Sequence, residues 1–234
     1  MFTEIRKENP FQEIMDQIIE HVRSGELHKG DALPAERVMA ESLGISRPML
    51  REVLRALNIL GVITTVHGGA NYISEDLENS MIQPLSILFR MNNSSVYQNQ
   101  QLRAALEVRC ASLAARNCSV VDAAELQLMI AKLDASQDER ERADLDRKLH
   151  MKIGEMADNP MIFSVMSASA RLTEAMITGI RDYIMQKQQS AAHVDEQHRK
   201  LVTAIVSHDE ELAGTCMKEH MRTIENYIRE ISET

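Results

Sequence analysis

The chain has no tryptophan, and aromatic residues make up only 3% of its 234 positions. Strands favour aromatic and β-branched side chains. This composition therefore argues against a β-sandwich and for helix packed on helix. Cysteine is scarce too: Cys110, Cys118 and Cys216 are an odd number with no CxxC spacing, which points to a reducing compartment. No apolar run reaches the ~18 residues that a membrane span needs. The N-terminus, MFTEIRKENPFQEI, lacks the apolar stretch of a secretory signal, so the expected location is the cytoplasm. Net positive charge is also missing. The chain stands at −9, which excludes a non-specific coat for nucleic acid but leaves room for a local basic patch.

What is present is 44% apolar residues, with methionine, at 15 positions, unusually common. Methionine fills irregular gaps and lines adaptable pockets. The expected fold class is mostly α: an N-terminal winged helix-turn-helix, then an all-α antiparallel bundle of six or seven helices. The expected division is residues 1–74 for the winged-helix domain, 75–80 for an acidic polar linker (SEDLENS begins just before it), and 81–234 for the helical domain.

In the first part, Phe11, Ile14, Met15, Ile18, Ile19 and Val22 recur with helical spacing and predict one buried stripe. Pro34 opens a second short helix through Ser42, and Gly44 ends it. Ser46 caps the next helix, with Pro48 in its first turn. Leu50, Val53, Leu54 and Leu57 form that helix's apolar stripe, while Arg47, Arg51 and Arg55 recur every four residues along another face. The strand-like runs Ile63–Val66 and Ala70–Ile73 flank His67, Gly68 and Gly69, a hairpin signal. A guanidinium can fork onto the O6 and N7 of guanine or clamp a phosphate. The backbone N–H groups beside Ser46 can hold a phosphate. Arg37 on the preceding helix adds a further contact, and the wing tip, His67 to Gly69, can approach the minor groove.

The second part carries an unusual polar set. Asp146 and His150 are four apart, so they share a helical face beside Leu145, Leu149, Ile153 and Met156. His198 sits among Leu201, Val202 and Ile205. His220 sits among Met217, Met221, Ile224 and Ile228. A lone inward histidine is ordinarily a core residue with one hydrogen bond, but three with an aspartate suit a divalent cation. The donor set fits Zn²⁺ first, and also Ni²⁺, Fe²⁺ or Mn²⁺. The three cysteines share no such pattern and read as packing residues.

The stretch GDALPAERVMAESLGISRPMLREVLRALNILGVI resembles the N-terminal domain of the GntR family of bacterial transcription regulators. Leu33 to Arg37, Leu43 to Arg47, Leu50 to Leu54 and Leu57 to Gly61 carry the likeness. The resemblance implies operator contacts by Arg37, Arg47 and Arg51 and a wing in the minor groove. HGGANYI stands where such wings often have a basic residue before GSGTFV. The remainder resembles the FCD-type ligand-binding domain of the FadR subfamily, through Leu102 to Glu107, Leu113 to Ala115, Asp146 to His150, Asn159-Pro160, Glu196 to Leu201 and Lys218 to His220. The metal-containing branch uses the Asp-x₃-His and two further histidines as ligands, and all four are here. The resemblance further implies a small carboxylate or sugar-acid effector at the open metal positions, with Arg103 binding the anion. The other reading of Arg103 is a surface ion pair with Glu107. Asn159 either caps a helix or touches the effector. The chain thus reads as a homodimeric, ligand-responsive regulator of palindromic double-stranded operator DNA, and not as an enzyme. The alternatives are the same regulator with a purely structural metal, or a metallohydrolase, for which no HExxH is present.

Overall fold

The computed structural model describes residues 3–4, 9–66, 70–75, 84, 87–88, 91–92, 95–170 and 188–232. The chain divides into two compact units, Met1–Gln83 and Pro84–Thr234. Most of the expected linker, residues 76–80, lies outside the described residues.

In the first unit, helix α1 (Pro10–Arg23) starts where Asn9 accepts a hydrogen bond from the Gln12 backbone N–H at 3.3 Å. Its Ile14 and Ile18 are buried, but Ile19 and Val22 are exposed. The expected stripe is thus narrower than its period suggested, because the core of this unit covers only one edge of it. Helix α2 (Glu36–Leu43) begins two residues after Pro34 and ends at Gly44, which adopts the left-handed conformation at φ 68°. A β-carbon there would also press on the Glu4 side chain at 2.8 Å. Helix α3 (Arg47–Ile59) is capped by Ser46, whose hydroxyl accepts from the Met49 N–H at 3.3 Å. Such a cap contributes about 1 kcal/mol. Leu50, Val53, Leu54 and Leu57 are buried and pack with Met39, Leu43, Ile63 and Ile73.

Strands β1 (Ile63–Thr65) and β2 (Asn71–Ile73) pair antiparallel, with Ile63 opposite Ile73 and Thr65 opposite Asn71. Asn58, near the end of α3, donates to the Ile63 carbonyl at 3.3 Å and to the Thr65 hydroxyl at 3.2 Å. The wing is thereby tied to the recognition helix. Together these elements are a winged helix-turn-helix.

Among the described residues, the regular elements of the second unit are all helices. Its elements are α4 (Val96–Asn117), α5 (Val120–Ala135), α6 (Glu139–Met156), a helical stretch at 160–170, α7 (Gln188–Val206) and α8 (Glu210–Ser232). Helix α7 already runs through residues 188–192. Capping boxes at Ser95 and Ser119 start α4 and α5. Two-residue and three-residue connections join α4 to α5, α5 to α6 and α7 to α8, and such short connections make neighbouring helices antiparallel. Small residues let α4 approach α8 closely: Ala111, Ala114 and Ala115 are fully buried on α4, as is Ala213 on α8. Gly154 on α6 gives the same room to the helical stretch at 160–170, since a β-carbon there would collide with the Met166 side chain.

One part-buried ion pair fixes the height of α7. Arg142 on α6 forks onto Asp195 at 2.7 and 2.8 Å, and also donates to the carbonyls of Leu133 and Ser136. Asp195 lies three residues before His198, so this clamp sets where that histidine enters the bundle.

Candidate metal centre and DNA-reading face

Four helices deliver the polar cluster. His150 comes from α6, His198 from α7 and His220 from α8, and all three are buried. One ring nitrogen from each lies within 4.8 Å of the others. Ring centroids are 5.6 Å apart for His150 and His198, 5.1 Å for His150 and His220, and 4.5 Å for His198 and His220. Asp146, one turn before His150, places Oδ1 3.2 Å from His198 Nε2. The four residues selected from sequence are therefore brought to one place.

Helix α4 supplies the fourth wall. The Glu107 carboxylate accepts from His150 Nδ1 through one oxygen, and from Arg103 Nε through the other at 2.9 Å. Burial alone would push the Glu107 carboxyl up; the Arg103 guanidinium and the His150 ring outweigh it and hold the group at about 2. Burial also opposes charge on His150, but the Glu107 carboxylate beside it raises that histidine above its ordinary range. His220 lies well below its ordinary value, through burial and the neighbouring rings of His198 and His150.

The donor set suits a divalent cation. His220 Nδ1 is buried with no hydrogen-bond partner among the described residues, and an unpartnered buried polar group costs about 1–3 kcal/mol. His220 is held neutral, as a ligand imidazole must be. Cysteine does not compete for the role: burial, with the Glu107 charge, pushes the Cys110 thiol up to about 11, far from the thiolate that binds metal.

Beside the cluster lies a cavity of about 230 Å³, lined by Arg103, Glu107, Asp146 and His150 together with Met151, Met166 and residues of α6 including Arg140, Asp144 and Arg147. Arg103 does pair with Glu107, but the pair is inside the bundle: the two side chains are 11% and 3% exposed. It is therefore both an ion pair and a wall of the cavity, and not a surface contact. Asn159 is not brought to this cavity. Its side-chain oxygen accepts from the Ile162 N–H at 3.1 Å, so it caps the helical stretch at 160–170. Sequence reasoning passed over Glu107 as a site residue. A signal existed: Glu107 stands three, four and seven residues before Cys110, Ala111 and Ala114, the buried face of α4.

In the first unit, the arginines line the exposed side of α2 and α3, three of them beside an acidic partner. Arg37 pairs with Glu41 at 2.7 Å, Arg51 with Glu36 at 2.9 Å, and Arg55 with Glu52 at 2.8 Å. Arg47 and Ser46 are exposed at the start of α3. His67, Gly68 and Gly69 lie outside the described residues.

A winged helix-turn-helix followed by a helical unit with a buried polar centre is the architecture of a DNA-binding regulator. Residues 10–73 match the family described as bacterial regulatory proteins, gntR family, and residues 100–223 match the FCD domain. The chain belongs to the GntR family of transcription regulators, in its FCD-domain form. It is 27% identical to the HTH-type transcriptional regulator LutR of Bacillus subtilis (strain 168), across 88% of this chain and 95% of that protein. It is 26% identical to the Glc operon transcriptional activator of Escherichia coli (strain K12), across 95% and 90%. The solved structure described as Streptococcus agalactiae GntR shares the fold, with a TM-score of 0.70 at 19% identity, covering 92% of this chain and 99% of that one. The matched families and relatives are transcription regulators and not enzymes. Among the described residues, no helix is long and apolar enough to cross a membrane.

Proposed function

We propose that the protein is a metal-dependent, effector-responsive regulator that binds a palindromic operator as a homodimer. The observation that carries this reading is the convergence of three buried imidazoles and Asp146 beside a cavity walled by Arg103, whose side chain is 11% exposed. Asp146, His150, His198 and His220 would hold the cation, Zn²⁺ being the best fit to the donor set. When bound, that ion would supply positive charge and open positions to a carboxylate ligand. Arg103 receives the other end of a small carboxylate or sugar acid through its terminal amino groups, since its Nε is already engaged by Glu107. Met151 and Met166 cover the apolar part of the ligand.

At the DNA, Arg37, Arg47, Arg51 and Arg55 exchange their carboxylate neighbours or solvent for phosphate and guanine, and Ser46 with its adjacent N–H groups holds a phosphate. His67, Gly68 and Gly69 are assigned to the wing's contact with the minor groove. Half-sites about one helical turn apart match two recognition helices of a dimer. The effector acts only through a difference in its affinity for the DNA-competent and DNA-incompetent states.

The test is calorimetry on the full chain with glycolate, L-lactate, citrate and gluconate, before and after chelation. The expected outcome is binding of one of these acids that disappears with EDTA and returns with Zn²⁺. Unchanged acid binding after chelation removes the metal from sensing. Metal binding with no acid bound by this panel, or by a wider set of sugar acids, leaves the metal a structural role.

A further inference from the structure

We infer that Glu107 is the positioning residue that fixes His150 for the metal, with Arg103 holding that carboxylate in place; this rests on the metal reading above. The chain of contacts Arg103–Glu107–His150 carries the inference. One oxygen of a carboxylate that is 2% exposed accepts from Arg103 Nε at 2.9 Å, and the other accepts from His150 Nδ1. An imidazole that donates through Nδ1 keeps its lone pair on Nε2. The contact with Glu107 therefore selects both the tautomer and the ring orientation that leave Nε2 for a cation. Carboxylates set behind metal-binding histidines act in this way in general.

The pair of donors explains why an acid is required. Arg103 Nε–H and His150 Nδ1–H both need an acceptor, and a carboxylate has two. A glutamine in the same place has one acceptor and an NH₂ group, which would face one of those two donors. The same contacts also give the cavity a physical route to the metal. A ligand that draws on Arg103 acts on the carboxylate that orients His150, and the three side chains form one contiguous hydrogen-bonded line.

The experiment uses Zn²⁺ alone, titrated into the full chain against a chromophoric chelator. Glu107→Gln should still bind one Zn²⁺ but about 10- to 100-fold more weakly, the usual effect of losing such a partner. In the Co²⁺-loaded protein its visible spectrum should change as well. A Zn²⁺ affinity within threefold of wild type overturns the inference while leaving the metal site standing. Absence of Zn²⁺ binding in the wild type overturns both, and so separates the two failures. If Glu107→Gln does not fold, ¹⁵N-histidine NMR of the Zn²⁺-loaded wild type decides: His150 protonated at Nδ1 and bound through Nε2 supports the inference, and the opposite assignment overturns it.

Discussion

The two units place their charge in opposite ways. In the winged-helix unit, Arg37, Arg51 and Arg55 lie on the outside, each within 3 Å of a glutamate. In the helical unit, Glu107, His150, His198 and His220 lie inside, with Arg103 and Asp146 at the edge of the same cluster. Exposed ion pairs contribute about 0–1 kcal/mol and exchange partners readily. Buried polar groups are costly to leave unmatched. The first arrangement suits a surface that must trade carboxylate for phosphate on contact with DNA. The second suits a centre that is stable only when its partners are complete. Function and stability should therefore separate in the first unit and coincide in the second.

The largest expected break of that contrast is at His198. His198→Ala, motivated by its place between Asp146 and His220, should abolish stoichiometric Zn²⁺ binding. A ligand present at 100 times its dissociation constant stabilises the folded state by about 2.7 kcal/mol. The wild type should accordingly lose several degrees of Tm on chelation, and His198→Ala should have no EDTA-sensitive Tm to lose. Full metal occupancy in the variant, measured by elemental analysis, takes His198 off the ligand set.

Next comes Arg51→Ala in the winged-helix unit. Loss of a guanidinium that reads a base costs about 1–3 kcal/mol, so operator affinity should fall by about tenfold or more. The Tm should stay within a degree, because the partner removed, Glu36, belongs to an exposed pair. Wild-type affinity in a gel-shift titration ends the assignment. A large fall in Tm instead breaks the contrast between the units.

A smaller effect sharpens the same point. Glu36 holds Arg51 across two helices, 15 residues apart in sequence. Glu36→Gln frees that guanidinium and removes a negative charge from the face. Binding to non-specific DNA should rise by a few fold and operator discrimination should narrow. Competition titrations that return the wild-type specificity ratio leave Glu36 without a part in reading.

Much of this was legible because it is local. The Ser46 cap, the Gly44 stop and the row Arg47, Arg51, Arg55 are set by spacing within one helix and its ends. The faces carrying Asp146, His150, His198 and His220 were legible for the same reason. What spacing does not carry is what covers a face. Ile19 and Val22 continue the pattern of Ile14 and Ile18, yet both stay exposed among the described residues. Glu107 read as the outer half of an i, i+4 pair, and the bundle closes over it. The clamp between Arg142 and Asp195 joins residues 53 apart, a separation at which no local rule operates.

The smallest expected effect tests the contrast from within the helical unit. Asn159 is half-buried next to the centre in sequence, but its side chain satisfies the Ile162 N–H. It should therefore behave like a surface residue of the other unit, with a role in stability alone. Asn159→Ala removes a helix cap and should cost about 1 kcal/mol. Because Glu107, Arg103 and the three histidines do not rely on it, Zn²⁺ affinity and acid binding should stay at wild-type values. A loss of acid binding with an unchanged Tm would return Asn159 to the effector site. It would also mean that the cavity reaches the start of the helical stretch at 160–170, and that the buried centre extends further along the bundle than its lining residues indicate.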